Sequence, residues 1–157
     1  MKKLNFLSIS LIFLLITNCG FKVENLAKLN NFAISEITTS GDQRINYRLK
    51  NSLSFKTAKN SEKLIMVDLT TNKNKTIKEK NIKNEIIKYK IEINVIVVFN
   101  EINSDKNYTF VVSKSSDYDV SSQYSQTLNN EKKLIEQLTD NLTKEIFDKL
   151  VLKVNAI

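Results

Sequence analysis

The clearest pattern in the chain is the alternation of apolar and polar residues between positions 85 and 100. The apolar side chains occupy every second position: Ile87, Tyr89, Ile91, Ile93, Val95, Val97 and Phe99. Successive side chains of a strand point to opposite faces, so this pattern predicts a long strand with one buried and one solvated face. Ile96 and Val98 interrupt the polar face. They indicate either a surface for a partner protein or a part of the sheet that a loop covers.

Shorter alternations predict three further strands. These strands cover residues 32–37, 64–69 and 108–112, the last trailing towards residue 120. In the first strand, Phe32, Ile34 and Glu36 are expected to share one face. Residues 38–42 are rich in turn and helix-capping residues and predict a turn. Residues 70–83 form the most polar stretch and predict a strand end followed by a loop.

Two stripes of apolar residues spaced by four predict amphipathic helices. The first helix is expected over residues 43–58, with the stripe Ile45, Leu49 and Leu53. The second is expected over residues 128–151, with the stripe Leu134, Leu138, Leu142, Ile146 and Leu150, widened by Leu128, Ile135 and Phe147. The order of elements predicts an α+β fold of the order β-α-β-β-β-α. It is a two-layer sandwich in which about four mostly antiparallel strands carry both helices on one face.

The first residues of the chain predict export. Lys2 and Lys3 precede an apolar run over residues 4–16, which indicates a signal peptide over residues 1–18. Cys19 is the only cysteine of the chain. Its position after the apolar run resembles a bacterial lipobox, in which the cysteine is lipidated and becomes the new N-terminus. An uncleaved membrane anchor is the alternative, but the run is shorter than the roughly 20 residues that span a bilayer.

The lipobox resemblance divides the chain into a signal peptide, a lipidated cysteine with its tether over residues 19–31, and a single domain over residues 32–157. Gly20 follows the cysteine, where an aspartate would resemble an inner-membrane retention signal. The expected location is therefore the outer membrane, with the protein held on the periplasmic side through acyl chains on Cys19.

The amino-acid composition argues against several kinds of catalytic and binding site. The 157 residues contain no His, Pro or Trp, and only two Gly. Histidine-based triads, the common zinc sites and glycine-rich phosphate loops are therefore not expected. Asp117 and Asp119 are spaced to act as paired carboxylates, but nothing near them in sequence supplies a nucleophile or a metal cage. We expect no enzyme activity, no catalytic residue, no metal and no cofactor.

The formal charge of +7 falls to +5 once Lys2 and Lys3 leave with the signal peptide. A field of this sign favours anionic partners such as lipid phosphates. We expect no nucleic-acid partner.

Four segments in order along the chain resemble the family of the lipopolysaccharide-assembly lipoprotein LptE. They are Cys19-Gly20-Phe21, the run from Gly41-Asp42-Gln43-Arg44 to Leu53, the strand Tyr89 to Val95, and the run from Ser116-Asp117-Tyr118 to Gln123-Tyr124-Ser125. The resemblance implies a lipoprotein that plugs the outer-membrane barrel for lipopolysaccharide export (LptD type), supports assembly of that barrel and binds lipopolysaccharide. A different class stays open: an auxiliary lipoprotein of an envelope transporter, or a general periplasmic lipid-binding module.

Two sets of residues are candidates for these contacts. The set predicted to bind lipopolysaccharide is Lys73, Lys75, Lys78, Lys80 and Lys83. The alternative for this set is a solvated lysine-rich loop without a ligand. The set predicted to contact the barrel is Tyr118, Tyr124, Ile96 and Val98, because tyrosine suits interfaces with one apolar and one wet side. The alternative for the tyrosines is packing between the sheet and the helices.

Overall fold

The computed structural model describes residues 32–56, 61 and 63–156. It contains the strands β1 (Phe32–Gly41), β2 (Lys63–Lys80), β3 (Ile86–Glu101) and β4 (Tyr108–Asp119), and the helices α1 (Gln43–Lys56) and α2 (Tyr124–Asn155). The predicted α+β fold class and order of elements are confirmed. The predicted signal peptide, Cys19, the tether and the last two predicted residues of the first helix lie outside the described residues.

The four strands form one sheet in the order β1-β2-β3-β4. The β2–β3 and β3–β4 pairs are antiparallel, and the β1–β2 pair is parallel. Parallel neighbours cannot be joined by a tight turn, so the chain needs a crossover between them. α1 provides this crossover, which places it beside β1 and β2.

The core lies between one face of the sheet and the two helices. The alternation of β3 is confirmed, because Ile91, Ile93, Val95, Val97 and Phe99 are all buried. Both predicted helical stripes are confirmed as well. They bury Ile45, Leu49 and Leu53 on α1, and Leu134, Leu138, Leu142, Ile146 and Leu150 on α2. α2 begins four residues before its predicted start and ends four residues after its predicted end.

β1 differs from its prediction in length and in face. It continues to Gly41 through four of the five residues predicted as a turn, because Thr38 to Gly41 each pair with β2. A bulge between Ile34 and Glu36 shifts the register. Glu36 therefore points to solvent and Ile37 is buried in its place. Asp42 then caps α1, and its Oδ1 accepts hydrogen bonds of 3.1 Å from the backbone N–H groups of Arg44 and Ile45.

β2, with 18 residues, is three times as long as the strand predicted over residues 64–69. The prediction of a strand end and loop over residues 70–83 is wrong, because β2 runs to Lys80 and only residues 81–85 form the turn. Lysine and asparagine have low intrinsic strand propensity, but pairing and packing override that preference. The partner is β3, whose apolar residues Ile93, Ile91 and Tyr89 lie opposite Lys73, Lys75 and Ile77. β4 runs to Asp119, in agreement with its predicted continuation towards residue 120.

Candidate functional site

All five lysines predicted to bind lipopolysaccharide lie on the part of the β2–β3 hairpin that extends past the end of β1. Pairing between β1 and β2 ends at Gly41 and Thr71, whereas pairing between β2 and β3 continues to Lys80 and Ile86. We call residues 72–94 the basic hairpin. Its nine residues on β2 extend about 30 Å past the end of β1, at roughly 3.3 Å per residue.

Two of the five lysines form ion pairs with carboxylates of the helical layer. Lys73 Nζ lies 2.7 Å from Asp42 Oδ2 at the start of α1, and Lys75 Nζ lies 2.6 Å from Glu131 Oε2 on α2. Burial raises the pKa of Asp42, but the hydrogen bonds from Lys73 and from the backbone of Ile45 outweigh this effect and hold the pKa below its usual value. Lys73 and Lys75 therefore stabilise the attachment of the hairpin.

Lys75 is the centre of an aromatic and acidic cluster. Its ammonium lies 4.4 Å from the ring centroid of Tyr89 and 5.4 Å from that of Tyr118, and the two rings stack. The hydroxyl of Tyr118 donates a 2.8 Å hydrogen bond to Glu131. Burial raises the pKa of Glu131, but the bonds from Lys75 and Tyr118 outweigh burial and lower the pKa. This cluster joins β2, β3, β4 and α2.

The other three lysines lie farther along the hairpin. Lys78 Nζ is 3.9 Å from Asp117 Oδ2, at the limit of an ion pair. Lys80 donates a 2.9 Å hydrogen bond to the neutral side chain of Asn84. Lys83 has no ion pair within the part of the chain that the structure describes. The structure thus separates the predicted set into two attached lysines and three distal lysines that are exposed to solvent.

The predicted barrel-contact residues also occupy two different environments. Tyr118 is only 6% exposed and packs between the sheet and α2, as the alternative interpretation of the tyrosines expects. Tyr124, at the first turn of α2, is 76% exposed. Ile96 and Val98 lie on the face of the sheet that carries no helix. Tyr124, Ile96 and Val98 are therefore the members of this set that reach the surface.

Ile96 and Val98 belong to an apolar area on that helix-free face. Ile96 pairs with Val111 of β4, and these side chains are 43% and 55% exposed. We call Ile96, Val98 and Val111 the open-face patch. No loop among the described residues covers Ile96, and its interpretation as a surface for a partner protein stays a prediction. Sequence reasoning missed Val111 because its pairing with Ile96 depends on the strand register.

Asp117 and Asp119 serve as partners of lysines. Asp117 is the neighbour of Lys78, and Asp119 Oδ1 lies 3.6 Å from the ammonium of Lys88. Over the described residues, no group of three or more His, Cys, Asp or Glu side chains is placed to hold a metal ion. The two carboxylates thus take part in the charge pairing of the hairpin surface.

A groove of about 710 Å³ runs between α1 and α2. Its apolar lining includes Tyr47 and Leu128, which are 73% and 47% exposed, and the partly buried Ile135. Leu128 was predicted to widen the buried stripe and instead faces this groove. Arg48 spans the two helices with two 2.8 Å hydrogen bonds to the carboxylate of Asp140. The charged residues of the lining are Asp42, Arg44, Arg48, Lys73, Glu131, Lys132 and Glu136.

The sequence alone did not predict this groove. Tyr47 lies outside the apolar stripe of α1, and an aromatic residue at such a position was the one available signal. Neither helix within residues 32–56 and 63–156 is both long and apolar enough to cross a bilayer.

Comparison with known proteins identifies the fold. No protein-family model matches the chain, and no curated protein matches it. A lipoprotein B from Nitrosomonas europaea, solved by NMR and uncharacterized, is 16% identical with a TM-score of 0.56, covering 87% of this chain and 94% of the other. A crystallised candidate lipoprotein from Caulobacter crescentus is 12% identical with a TM-score of 0.56, covering 83% and 96%.

The rare lipoprotein B of Shewanella oneidensis is also similar, at 12% identity, with a TM-score of 0.49 and coverage of 77% and 93%. At these identities the likeness concerns the fold and does not extend to function. The described domain therefore has a fold that also occurs in the Nitrosomonas and Caulobacter proteins.

Proposed function

We propose that this chain is an outer-membrane lipoprotein of the LptE type, anchored on the periplasmic side through acyl chains on Cys19. In this proposal it plugs the LptD-type barrel that exports lipopolysaccharide and supports assembly of that barrel. It also helps deliver lipopolysaccharide to the cell surface, and it acts by binding rather than by catalysis.

One observation carries the proposal: the basic hairpin projects past β1 with Lys78, Lys80 and Lys83 exposed near its tip. Lipopolysaccharide carries phosphate groups on lipid A, and lysine binds phosphate as a mobile point charge. The attached lysines, Lys73 and Lys75, keep the hairpin in place while the distal lysines remain accessible. Such contacts are solvent-exposed, so the binding is expected to weaken as salt rises.

The open-face patch supports a barrel partner. A helix-free sheet face that exposes Ile96 and Val111 has apolar surface left for a protein wall to cover. The patch lies on the opposite side of the sheet from α1 and α2. A partner can therefore bury the patch without displacing either helix.

The groove between α1 and α2 favours a second candidate, the general lipid-binding module. Tyr47 and Leu128 offer an apolar lining, while Arg44 and Lys132 place positive charge beside it. That combination suits an acyl chain with an anionic head group. This function needs no barrel, so the identity of the partner separates the two candidates.

The test is a pull-down of the tagged full-length chain from detergent-solubilised outer membranes, with mass spectrometry of the proteins that co-purify. The proposal expects one large barrel protein at equal stoichiometry. Recovery of the chain alone, or with transporter subunits, would overturn the plug function in favour of the lipid-binding module or the auxiliary transporter lipoprotein.

A pair of variants makes this test specific. Ile96→Asp places a charge in the open-face patch, whereas Leu152→Asp places the same charge at an exposed apolar residue of α2. Loss of the barrel from Ile96→Asp alone supports the patch as the contact. Equal recovery from both variants rejects it.

A further inference from the structure

Asn81 makes most of the hydrogen bonds that hold the tip of the basic hairpin. Asn81 Oδ1 accepts hydrogen bonds from the backbone N–H groups of Lys83 (2.9 Å) and Glu85 (3.0 Å). Its Nδ2 donates to Glu85 Oε2 at 2.7 Å, and its own N–H donates to the carbonyl of Glu85 at 2.9 Å. These four bonds fix the shape of the turn over residues 81–85.

This fixed turn presents one aliphatic side chain to solvent. Ile82 is fully exposed, and no other large hydrophobic side chain among the described residues is more exposed. A scattered surface hydrophobic needs no explanation by itself. Ile82, however, is held at the apex of an ordered turn, with Lys80 and Lys83 on either side of it in sequence. An aliphatic tip between two cations is chemically matched to the boundary between phosphate head groups and acyl chains.

The tip lies at the far end of the sheet from the start of the domain. Phe32 is paired with Lys63 at the first residue of β2, and the turn follows Lys80 at its last residue. The 18 residues of β2 separate the two ends by about 56 Å. Whatever the tip contacts is therefore remote from the point where the chain enters the fold.

We propose that the hairpin tip inserts Ile82 into the acyl region at the surface of a bilayer containing anionic phospholipid, while Lys80 and Lys83 bind the phosphates around it. The inference rests on the proposed function, because it deepens the role of the hairpin as a lipid contact. A protein partner is a poorer match for the tip alone, because specific protein interfaces bury about 800 Å² on each partner. A single side chain on a narrow turn cannot supply that area.

The absence of tryptophan from the chain permits a direct test. Ile82→Trp introduces the only tryptophan at the tip, and its indole can be excited selectively over the five tyrosines. Ile102→Trp introduces the same probe at a partly exposed isoleucine after β3. Ile102 donates its N–H to Leu64 near the start of β2, so this control lies at the opposite end of the sheet. Each full-length variant is reconstituted in phosphatidylcholine vesicles and mixed with phosphatidylglycerol vesicles that carry brominated acyl chains.

The expected result is a blue shift and strong quenching of the indole at position 82, several-fold larger than at position 102. Adding Lys80→Gln and Lys83→Gln to the Ile82→Trp variant should weaken the interaction about 30-fold, from about five-fold for each lysine near an anionic surface. Absence of quenching at position 82, or equal quenching at both positions, would overturn insertion. Quenching that survives both lysine substitutions would overturn their assigned role.

These outcomes are distinct from failure of the proposed function. Co-purification with a barrel and binding of lipopolysaccharide, without quenching at position 82, would reject the inserted tip alone. Insertion without any barrel partner would reject the plug function but still support the contact between the hairpin tip and lipid.

Discussion

The two ends of the sheet are built on different physical principles. In the half that β1 flanks, β2 and β3 both present apolar side chains to the helices, as Val67, Leu69 and Val97 show. In the basic hairpin, the buried side chains Ile91 and Ile93 come from β3 and lie opposite lysines of β2. One half is stabilised mainly by burial, and the other by strand pairing, ion pairs and aromatic contacts.

Because of this difference, the residues that stabilise the domain and the residues proposed to bind a ligand lie in different parts of the sheet. Burial of apolar side chains is worth more than exposed ion pairs, so the half flanked by β1 should determine whether the domain folds. The hairpin can then carry charged residues at positions that add little to the core. Its distal lysines are therefore available for the ligand contacts that we propose.

The largest expected loss of stability follows from a substitution in the half of the domain that is stabilised by burial. Leu142→Ala removes a fully buried side chain of α2 and should lower the free energy of unfolding by about 3 kcal/mol. Urea denaturation followed by circular dichroism measures the change. Leu152→Ala, on the exposed side of the same helix, should change stability by less than about 0.5 kcal/mol. Similar losses in both variants would contradict the assignment of this half as the core.

The next effect concerns the boundary where β1 leaves the sheet. Gly41 has φ +98°, and a Cβ at this position would clash with the backbone carbonyl oxygen of Thr71. Gly41→Ala should therefore cost about 2 kcal/mol, from left-handed strain together with the clash. Ser40→Ala, one residue earlier, is the control, and thermal denaturation compares the two. An unchanged midpoint for Gly41→Ala would contradict the close approach of Gly41 to the carbonyl group of Thr71.

A smaller effect on stability is expected to depend on pH. The pKa of Glu131 is lowered below 4.5 in the folded state, because the bonds from Lys75 and Tyr118 outweigh burial. Its contribution, about 1 kcal/mol, is therefore present above pH 4.5 and is lost as pH falls through the lower folded pKa. Glu131→Gln should destabilise the domain at pH 7 and make the fall in stability towards acid pH less steep.

Urea denaturation at a series of pH values tests this prediction. Asp140→Asn serves as the reference, because its pair with Arg48 also lowers the pKa of Asp140 but is more exposed to solvent. Its effect on the same profile should be smaller. If Glu131→Gln and wild type lose stability in parallel below pH 4.5, the cluster around Lys75 does not stabilise the hairpin.

The smallest effect on stability should accompany the largest effect on binding. Replacing Lys78, Lys80 and Lys83 together by glutamine should change the unfolding free energy by less than about 1 kcal/mol, since all three are exposed. Binding to immobilised lipopolysaccharide should weaken at least ten-fold and lose its dependence on salt. Lys106→Gln, on the connection between β3 and β4, is the control. Retained affinity in the triple variant would separate the hairpin from the ligand.

Regular periodicity made much of the fold predictable. The buried face of β3 and the stripes of both helices follow from spacings of two and four, which arise wherever one side of an element is covered. The bulge in β1 was not predictable in this way. One additional residue moves Ile37 inward and Glu36 outward, and no residue type in the sequence signals this shift.

The candidate site was harder to predict, because it depends on contacts that are distant in sequence. The lysines were recognised from charge alone, but the pairing of Lys75 with Glu131 joins residues 56 positions apart. The extension of β2 depends on β3 as a partner strand, and local propensity opposes it. Which lysines are attached and which are exposed could therefore be decided only from the three-dimensional arrangement.

The parallel pairing of β1 with β2 also determines how the domain carries mechanical load. A pull on the chain at Phe32, resisted at the hairpin tip, acts along the axes of both strands. Nine β1–β2 residue pairs would then be loaded together in shear instead of opening one after another from the end. Under such tension the edge strand resists as a unit, and the direction of force becomes as important to the lifetime of the fold as its equilibrium stability.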